Sequence, residues 1–353
     1  MNISREKPSA DQADAITVFL RSLPPGAGVC PEHDPRWLAV LREGLGHETL
    51  ALVARDDDGE ICGYLPLSLV KSRLFGRFVV SLPYLNRAGI VAADSDTAAR
   101  LVEQAVAVAE DEDAQYLELR HHTEPVEHVA LGHLRDKKAR MVLDLPASGD
   151  ELWSNLKAKV RNQVRKGDKH ELTIRWGGEE LLGDFYDIFA VNMRDLGTPV
   201  YGRSLFEAIL HHLGGEAELA VVDCQGRPAA AALLTHSDLG GLQTQVPSAS
   251  CLRSMNRTNA NMWMYHRLLE RAIERGSVAF DFGRSSEGAG TWRFKKQWGA
   301  QPSGTPWQIH LRRGELDAVR PNHPRYQRRI RVWQRLPVWL TKRIGPGIVR
   351  GIP

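Results

Sequence analysis

The chain has 353 residues, 42% hydrophobic and 25% charged, the composition of a soluble globular protein with room for about two domains of ordinary size. Its net charge of +3 is unevenly spread: residues 312–353 hold 11 Lys and Arg against two acids, Glu315 and Asp317, and residues 1–311 carry a net −6. No run reaches the ~18 apolar residues of a membrane span, and the N-terminus lacks a charged-then-apolar signal, so a cytoplasmic protein is expected.

In chain order, residues 11–23 predict a short helix, and Asp34 opens a second through about Leu45 with Pro35 at its first position. Residues 50–55 and 61–70 read as strands joined by the Asp56-Asp-Asp-Gly59 turn, and residues 78–82 continue the sheet. Alanines, leucine and valines at helical spacing predict a helix over 95–112, followed by a strand at 115–120. The same grammar then recurs: a strand at 139–145, a helix from Glu151 to about Lys169, a strand at 172–176 and helices near 179–196 and 203–213. Strands follow near 217–224, 228–236 and 240–247, then a long helix over 259–275, and a strand near 306–312 closes this half. Two α/β domains of similar fold are expected, over 1–139 and 140–312, with a basic tail over 313–353.

Cys30, Cys62, Cys224 and Cys251 are widely spaced, with no CxxC pair, and read as reduced core residues. The doublets His121-His122 and His211-His212 lack an H-E-x-x-H context, so no metal is expected. Neither a G-x-S-x-G nor a Walker loop occurs, and Gly288 and Gly290 lack the rest of a dinucleotide fingerprint. What the chain does offer is helix N-termini, polar loops and basic anchors, the parts of a mechanism that works by proximity and oxyanion stabilisation.

The densest stretch runs from Asp281 to Gly299. After the buried strand Val278-Ala-Phe280, glycines 283, 288 and 290 free the backbone for close approach, and Trp292, Arg293, Phe294, Lys295, Lys296 and Trp298 follow on a short helix. The alternative is a surface turn whose tryptophans plug a core. On the helix from Glu151, Trp153, Leu156, Val160 and Val164 repeat at core spacing, while Lys157, Arg161 and Arg165 form a row suited to phosphate or carboxylate; the alternative from the same residues is a solvated basic face. Thr198 and Tyr201 sit in a glycine-framed loop that either lines a pocket or merely connects. Gln245 ends a strand that leads through Asn256 and Arg257 to the N-terminus of the long helix, where free N–H groups suit an anion.

The Lys159-Val-Arg-Asn-Gln-Val-Arg-Lys166 helix, the Asp281-Phe-Gly-Arg-Ser285 strand end and the Thr291-Trp-Arg-Phe-Lys-Lys-Gln-Trp-Gly299 segment together resemble FemAB-type proteins. The resemblance is nearest to the branch associated with exosortase (XrtA/PEP-CTERM) and exopolysaccharide clusters, and spans roughly residues 10–312. It implies an α/β (α+β) fold of two tandem GNAT-like domains, each a mixed central sheet flanked by helices, with the site in the second. It further implies transfer of an acyl or aminoacyl group, from acyl-CoA or aminoacyl-tRNA, to an amine of a cell-envelope precursor, with no permanently bound cofactor. Asp281, Arg284 and Lys295 would then be catalytic. Donor or acceptor would meet Lys157, Arg161, Arg165, Thr198, Tyr201, Gln245, Asn256, Arg257, Ser285, Trp292 and Trp298. The sequence departs from the pattern where a coenzyme A signature, Q/R-x-x-G-x-G/A, is missing from 248–259 and from 87–95, and the long helical arm of some tRNA-using members is also missing. A catalytically degenerate scaffold of an exopolysaccharide assembly is the alternative. Residues 325–344 place Tyr326, Ile330, Trp333, Leu336, Leu340 and Ile344 at helical spacing among arginines, kinked at Pro337. Such a segment fits an anionic membrane surface, RNA phosphates, or docking on the acidic body.

Overall fold

The computed structural model describes residues 1–135, 137–316 and 324–353, without the side chains of 324–327. Two compact units emerge: Met1–Lys137 with Gly304–Gln327 and Gly347–Pro353, and Lys138–Ser303 with Arg328–Pro346.

In the first unit, β1 (Asn2–Glu6), α1 (Ala10–Ser22), α2 (Arg36–Leu45), β2 (Glu48–Arg55) and β3 (Ile61–Ser72) open the chain. They are followed by β4 (Gly76–Val80), β5 (Val91–Ala92), α3 (Ser95–Asp111), β6 (Tyr116–Arg120) and β7 (His133–Arg135). The hairpin turn between β2 and β3 forms as predicted: Asp56 Oδ1 accepts from the N–H groups of Asp58 and Glu60, and Gly59 takes φ +87°. The sheet runs β1-β2-β3-β4-β6 and is antiparallel except for β4 beside β6. Leu101, Val102, Ala105, Val108 and Ala109 on one stripe of α3 cover its buried face.

The second unit starts with β8 (Lys138–Asp144), α4 (Gly149–Asn155), α5 (Ala158–Asp168), β9 (Leu172–Gly177), α6 (Leu182–Leu196) and α7 (Arg203–Leu213). β10 (Ala217–Cys224), β11 (Arg227–Ser237), β12 (Gln243–Cys251), α8 (Ala260–Glu274), β13 (Ala279–Ser286), α9 (Gly290–Gln297) and β14 (Gln301–Ser303) complete it. Its seven strands run β14-β8-β13-β12-β11-β10-β9, with β12 and β13 parallel. The single helix expected from Glu151 onward is two. Leu156 and Lys157 are extended, and the Arg161 guanidinium reaches back to the carbonyls of Ser154 (3.0 Å) and Leu156 (2.6 Å), so the first helix ends on a partner supplied by the second. Gly167 lets α5 press on α8, because a Cβ there would lie 2.8 Å from Trp263.

Two expectations need correction. The strand near 306–312, β15 (Trp307–Leu311), pairs with β6 and β7 and belongs to the first sheet, not the second. Its alternation is legible in sequence, but its partner is a long-range choice. The tail over 313–353 is not a segment of its own: α10 (Pro324–Trp333) and α11 (Val338–Val349) separate at Pro337, and Arg328–Pro346 belongs to the second unit. Tyr326 lies outside the described side chains.

Candidate functional site

The second sheet opens at its parallel pair. β12 and β13 are in register at Gln243↔Ala279, Thr244↔Phe280 and Gln245↔Asp281 and then part. β12 stays with β11 as far as Cys251, while β13 stays with β8 as far as Ser286. The parting is built from register shifts on both sides, between Leu233 and Thr235 and between Asp281 and Arg284. Gly283 takes φ +75° inside the second shift, a conformation glycine adopts without strain. Beyond Gln245 the β13-facing edge of β12 has no ladder partner among the described residues, so its backbone groups, Pro247 lacking an N–H, are directed at whatever enters.

The closed end of the opening is pinned by a buried chain of polar groups. His236 lies 2.9 Å from Glu218 Oε1 and 2.8 Å from Thr244 Oγ1, which in turn lies 2.8 Å from Ser277 Oγ. Arg271 grips the same glutamate with Nε and Nη2. Burial alone would raise the Glu218 carboxyl, but hydrogen bonds from His236 and Arg271, with the charge of Arg271, hold it at about 2.

Lys295 holds the open end. Trp292 and Lys295 form the buried side of α9, and the Lys295 ammonium donates to the carbonyls of Gly283 (3.0 Å) and Arg284 (3.2 Å). Burial lowers its pKa to about 8, opposed by the nearby Asp281. Asp281 is 4% exposed; it accepts from the Gly283 N–H at 2.7 Å and faces Arg140 Nη1 at 3.4 Å. The pair thus fixes the bulge from both its N–H and its C=O side. Tyr265 stacks on Phe282 at 5.7 Å and meets Phe294 edge-on at 4.8 Å, and burial pushes its hydroxyl pKa well up. Ser285 Oγ and Trp298 Nε1 are buried with no hydrogen-bond partner among the described residues.

On the outer side of α9 a groove of about 450 Å³ is lined by Lys157, Glu287, Gly288, Trp292, Arg293, Lys296 and Gln297. Three cations against one carboxylate suit an anionic ligand. Lys157 projects into it from the start of α5.

Of the residues singled out from sequence, Asp281, Arg284, Ser285 and Lys295 meet at the bulge, and Lys157 and Trp292 share the groove. Gln245 is the last paired residue before β12 and β13 part. Arg161 is occupied by backbone carbonyls, and Arg165 lies 5.4 Å over the Trp153 ring. Thr198 caps the end of α6 through its N–H to Met193 O, and the Tyr201 carbonyl accepts from Tyr186 OH. Asn256 and Arg257 are exposed on a 3-10 helix, Arg253–Thr258, ahead of α8. Sequence reasoning missed Arg140, Glu218 and His236, which only strand register brings into place. It also left Arg293 and Lys296 unassigned, although with Trp292 they form an i, i+1, i+4 stripe that was legible.

Residues 154–296 match the family model of an acetyltransferase (GNAT) domain. The second unit is an acyltransferase domain. The search of curated proteins returns no sequence match. Among solved structures the chain is similar to FemX, with TM-score 0.64 and 16% identity over 87% of this chain and 97% of that one. It is also similar to L-PGS from Bacillus licheniformis, with TM-score 0.52, 11% identity, and 94% and 99% of the two chains covered. The C-terminal domain of a putative lysylphosphatidylglycerol synthetase from Agrobacterium fabrum gives TM-score 0.55 and 13% identity over 88% and 94%. The shared feature is the fold, tandem GNAT-like domains each built on a mixed sheet flanked by helices. No group of His, Cys, Asp or Glu that could hold a metal, and no helix long and apolar enough to cross a membrane, occurs among the described residues.

Proposed function

We propose that the acyltransferase domain moves an acyl or aminoacyl group onto the amine of a cell-envelope precursor of exopolysaccharide or peptidoglycan type. The observation that carries the reading is the parting of β12 and β13 at Gln245 and Asp281, beside the Lys295-held bulge. A carbonyl laid in the opening meets the unladdered edge of β12, whose N–H groups stabilise the oxyanion formed on attack. The amine nitrogen forms the new C–N bond. Collapse of the tetrahedral intermediate then breaks the bond to the thiol sulfur of coenzyme A or the ribose oxygen of tRNA, which takes up the proton the amine gives up. Asp281 and Lys295 position the bulge, and Lys157, Arg293 and Lys296 supply charge for phosphates of the donor.

Coenzyme A would meet an unusual turn. The segment between β12 and α8 has no glycine and winds as a 3-10 helix, so phosphates there would face the side chains of Asn256 and Arg257 rather than a cradle of glycine N–H groups. That observation counts against the usual coenzyme A cradle; aminoacyl-tRNA is the other donor, and a scaffold that has lost chemistry is the second reading.

Thermal melting with a panel of acyl-CoAs, and with charged and uncharged tRNA, separates these. A donor at about 100 times its Kd adds roughly 2.7 kcal/mol, a shift of a few degrees. A shift with an acyl-CoA or with charged tRNA alone identifies the donor. No shift with either, and no loss of cellular function in Lys295→Met, would leave the scaffold.

A further inference from the structure

The chain from Pro324 to Pro353 contains no acidic residue, and the helices it forms turn one stripe to the second unit and the opposite stripe to solvent. On α10 and the turn that follows it the inward groups are Ile330, Trp333 and Gln334. Ile330 lies against Gly197, Trp333 is buried, and Gln334 Nε2 donates to Asp195 O at 3.1 Å. Arg194 Nη1 adds a bond to Leu336 O at 3.2 Å. On α11 the inward groups are Thr341, Lys342 and Gly345. Thr341 is buried, Lys342 pairs with Asp187 and sits over the Tyr186 ring, and Gly345 packs against Val200.

The opposite stripes have a different character. Arg328, Arg331 and Val332 stand at i, i+3 and i+4 on α10, Arg335 follows in the turn just after it, and all four are exposed. On α11 Trp339, Leu340, Arg343 and Ile344 form the corresponding stripe, with Trp339 66% and Ile344 39% exposed. Docking therefore uses up one side of each helix and leaves arginines interleaved with a tryptophan and aliphatic side chains that no part of the chain covers among the described residues. Exposed Val332, Trp339 and Ile344 set among arginines are apolar surface with a polar rim, the composition of an interaction face.

We propose that the outward stripes of α10 and α11 dock the protein on an anionic membrane surface. Arginines at headgroup level neutralise lipid phosphate, and the tryptophan and aliphatic groups enter the boundary with the acyl chains, the arrangement of an interfacial helix. A nucleic-acid face would use the same arginines and Trp339, but Val332, Leu340 and Ile344 offer bases no ring to stack on and fit an acyl boundary instead. The helices are already ordered on the second unit, so binding carries little cost of ordering the segment.

The test is co-sedimentation of the full-length protein with vesicles of phosphatidylcholine alone and of phosphatidylcholine mixed with phosphatidylglycerol, alongside a tRNA-binding assay. The expected result is partitioning onto the mixed vesicles only, weakened by salt. At about fivefold per arginine, Arg328→Gln, Arg331→Gln and Arg335→Gln together weaken it roughly 100-fold. Trp339→Ala weakens it severalfold, and that loss persists at high salt because it is apolar. All four side chains are exposed, and circular dichroism checks that the variants fold. Absence of partitioning onto anionic vesicles overturns the proposal. So does equal binding to neutral vesicles, or tRNA binding that the arginine variant loses and Trp339→Ala keeps, in the absence of vesicle binding.

Discussion

Replacing Lys295 with Met tests whether a buried ammonium holds the bulge at the parting of β12 and β13. Burial brings this amine from an ordinary 10.5 to about 8, with Asp281 pulling the other way. A lysine whose folded-state pKa is depressed binds fewer protons folded than unfolded between those two values. Stability therefore rises with pH across the window from about 8 to 10.5, and that gain is lost as pH falls back through it. At about 1.4 kcal/mol per pH unit the rise is about 3 kcal/mol. Methionine fills a similar volume without a charge, so its profile lacks this rise. It also leaves the carbonyls of Gly283 and Arg284 without their donor, a cost of about 1–3 kcal/mol each that does not depend on pH. Urea unfolding of both proteins across this window is the assay, and the wild type should gain on the variant by about 3 kcal/mol. Parallel profiles would mean that the ammonium is solvated and that the bulge is held by something else.

Glu218→Gln removes the charge on which His236, Arg271 and Arg275 converge and should cost about 3 kcal/mol near neutral pH. Because the Glu218 carboxyl is held at about 2, the wild type's advantage should shrink as pH falls from about 4.5 towards 2; an advantage that stays constant in acid would contradict the charged network. Arg161→Ala should lower stability by about 1–2 kcal/mol through the carbonyls it caps at the end of α4, with donor affinity unchanged. A loss of donor affinity in isothermal titration, without a loss of stability, would return Arg161 to the ligand-binding row read from sequence.

Much of the fold follows from local signals. The order of helices and strands, the Asp56–Gly59 turn and the buried spacing of Leu156, Val160 and Val164 depend on side chains within a few positions of one another, so they are readable along the chain. The candidate site is only half legible in that way. Asp281, Gly283, Arg284 and Lys295 lie within fifteen residues, and their mixture of glycine, charge and aromatic rings marks them as a group. Their meeting with Arg140 depends on β8 pairing antiparallel with β13, and the pinning by Glu218 and His236 depends on three further strands.

The sequence by itself determined that two α/β units would form and that one glycine-rich, basic and aromatic stretch in the second would stand out, because hydrophobic period and backbone freedom are properties of neighbouring residues. Tertiary structure alone decided that β15 serves the first sheet, that Arg161 caps a helix, and that β12 and β13 part at Gln245 and Asp281. It also decided which side of the basic tail is spent on docking and which is left to water. Each of these is a choice among long-range partners of similar local fitness. Such choices are settled by register and by competition for buried surface, neither of which any short window of sequence contains.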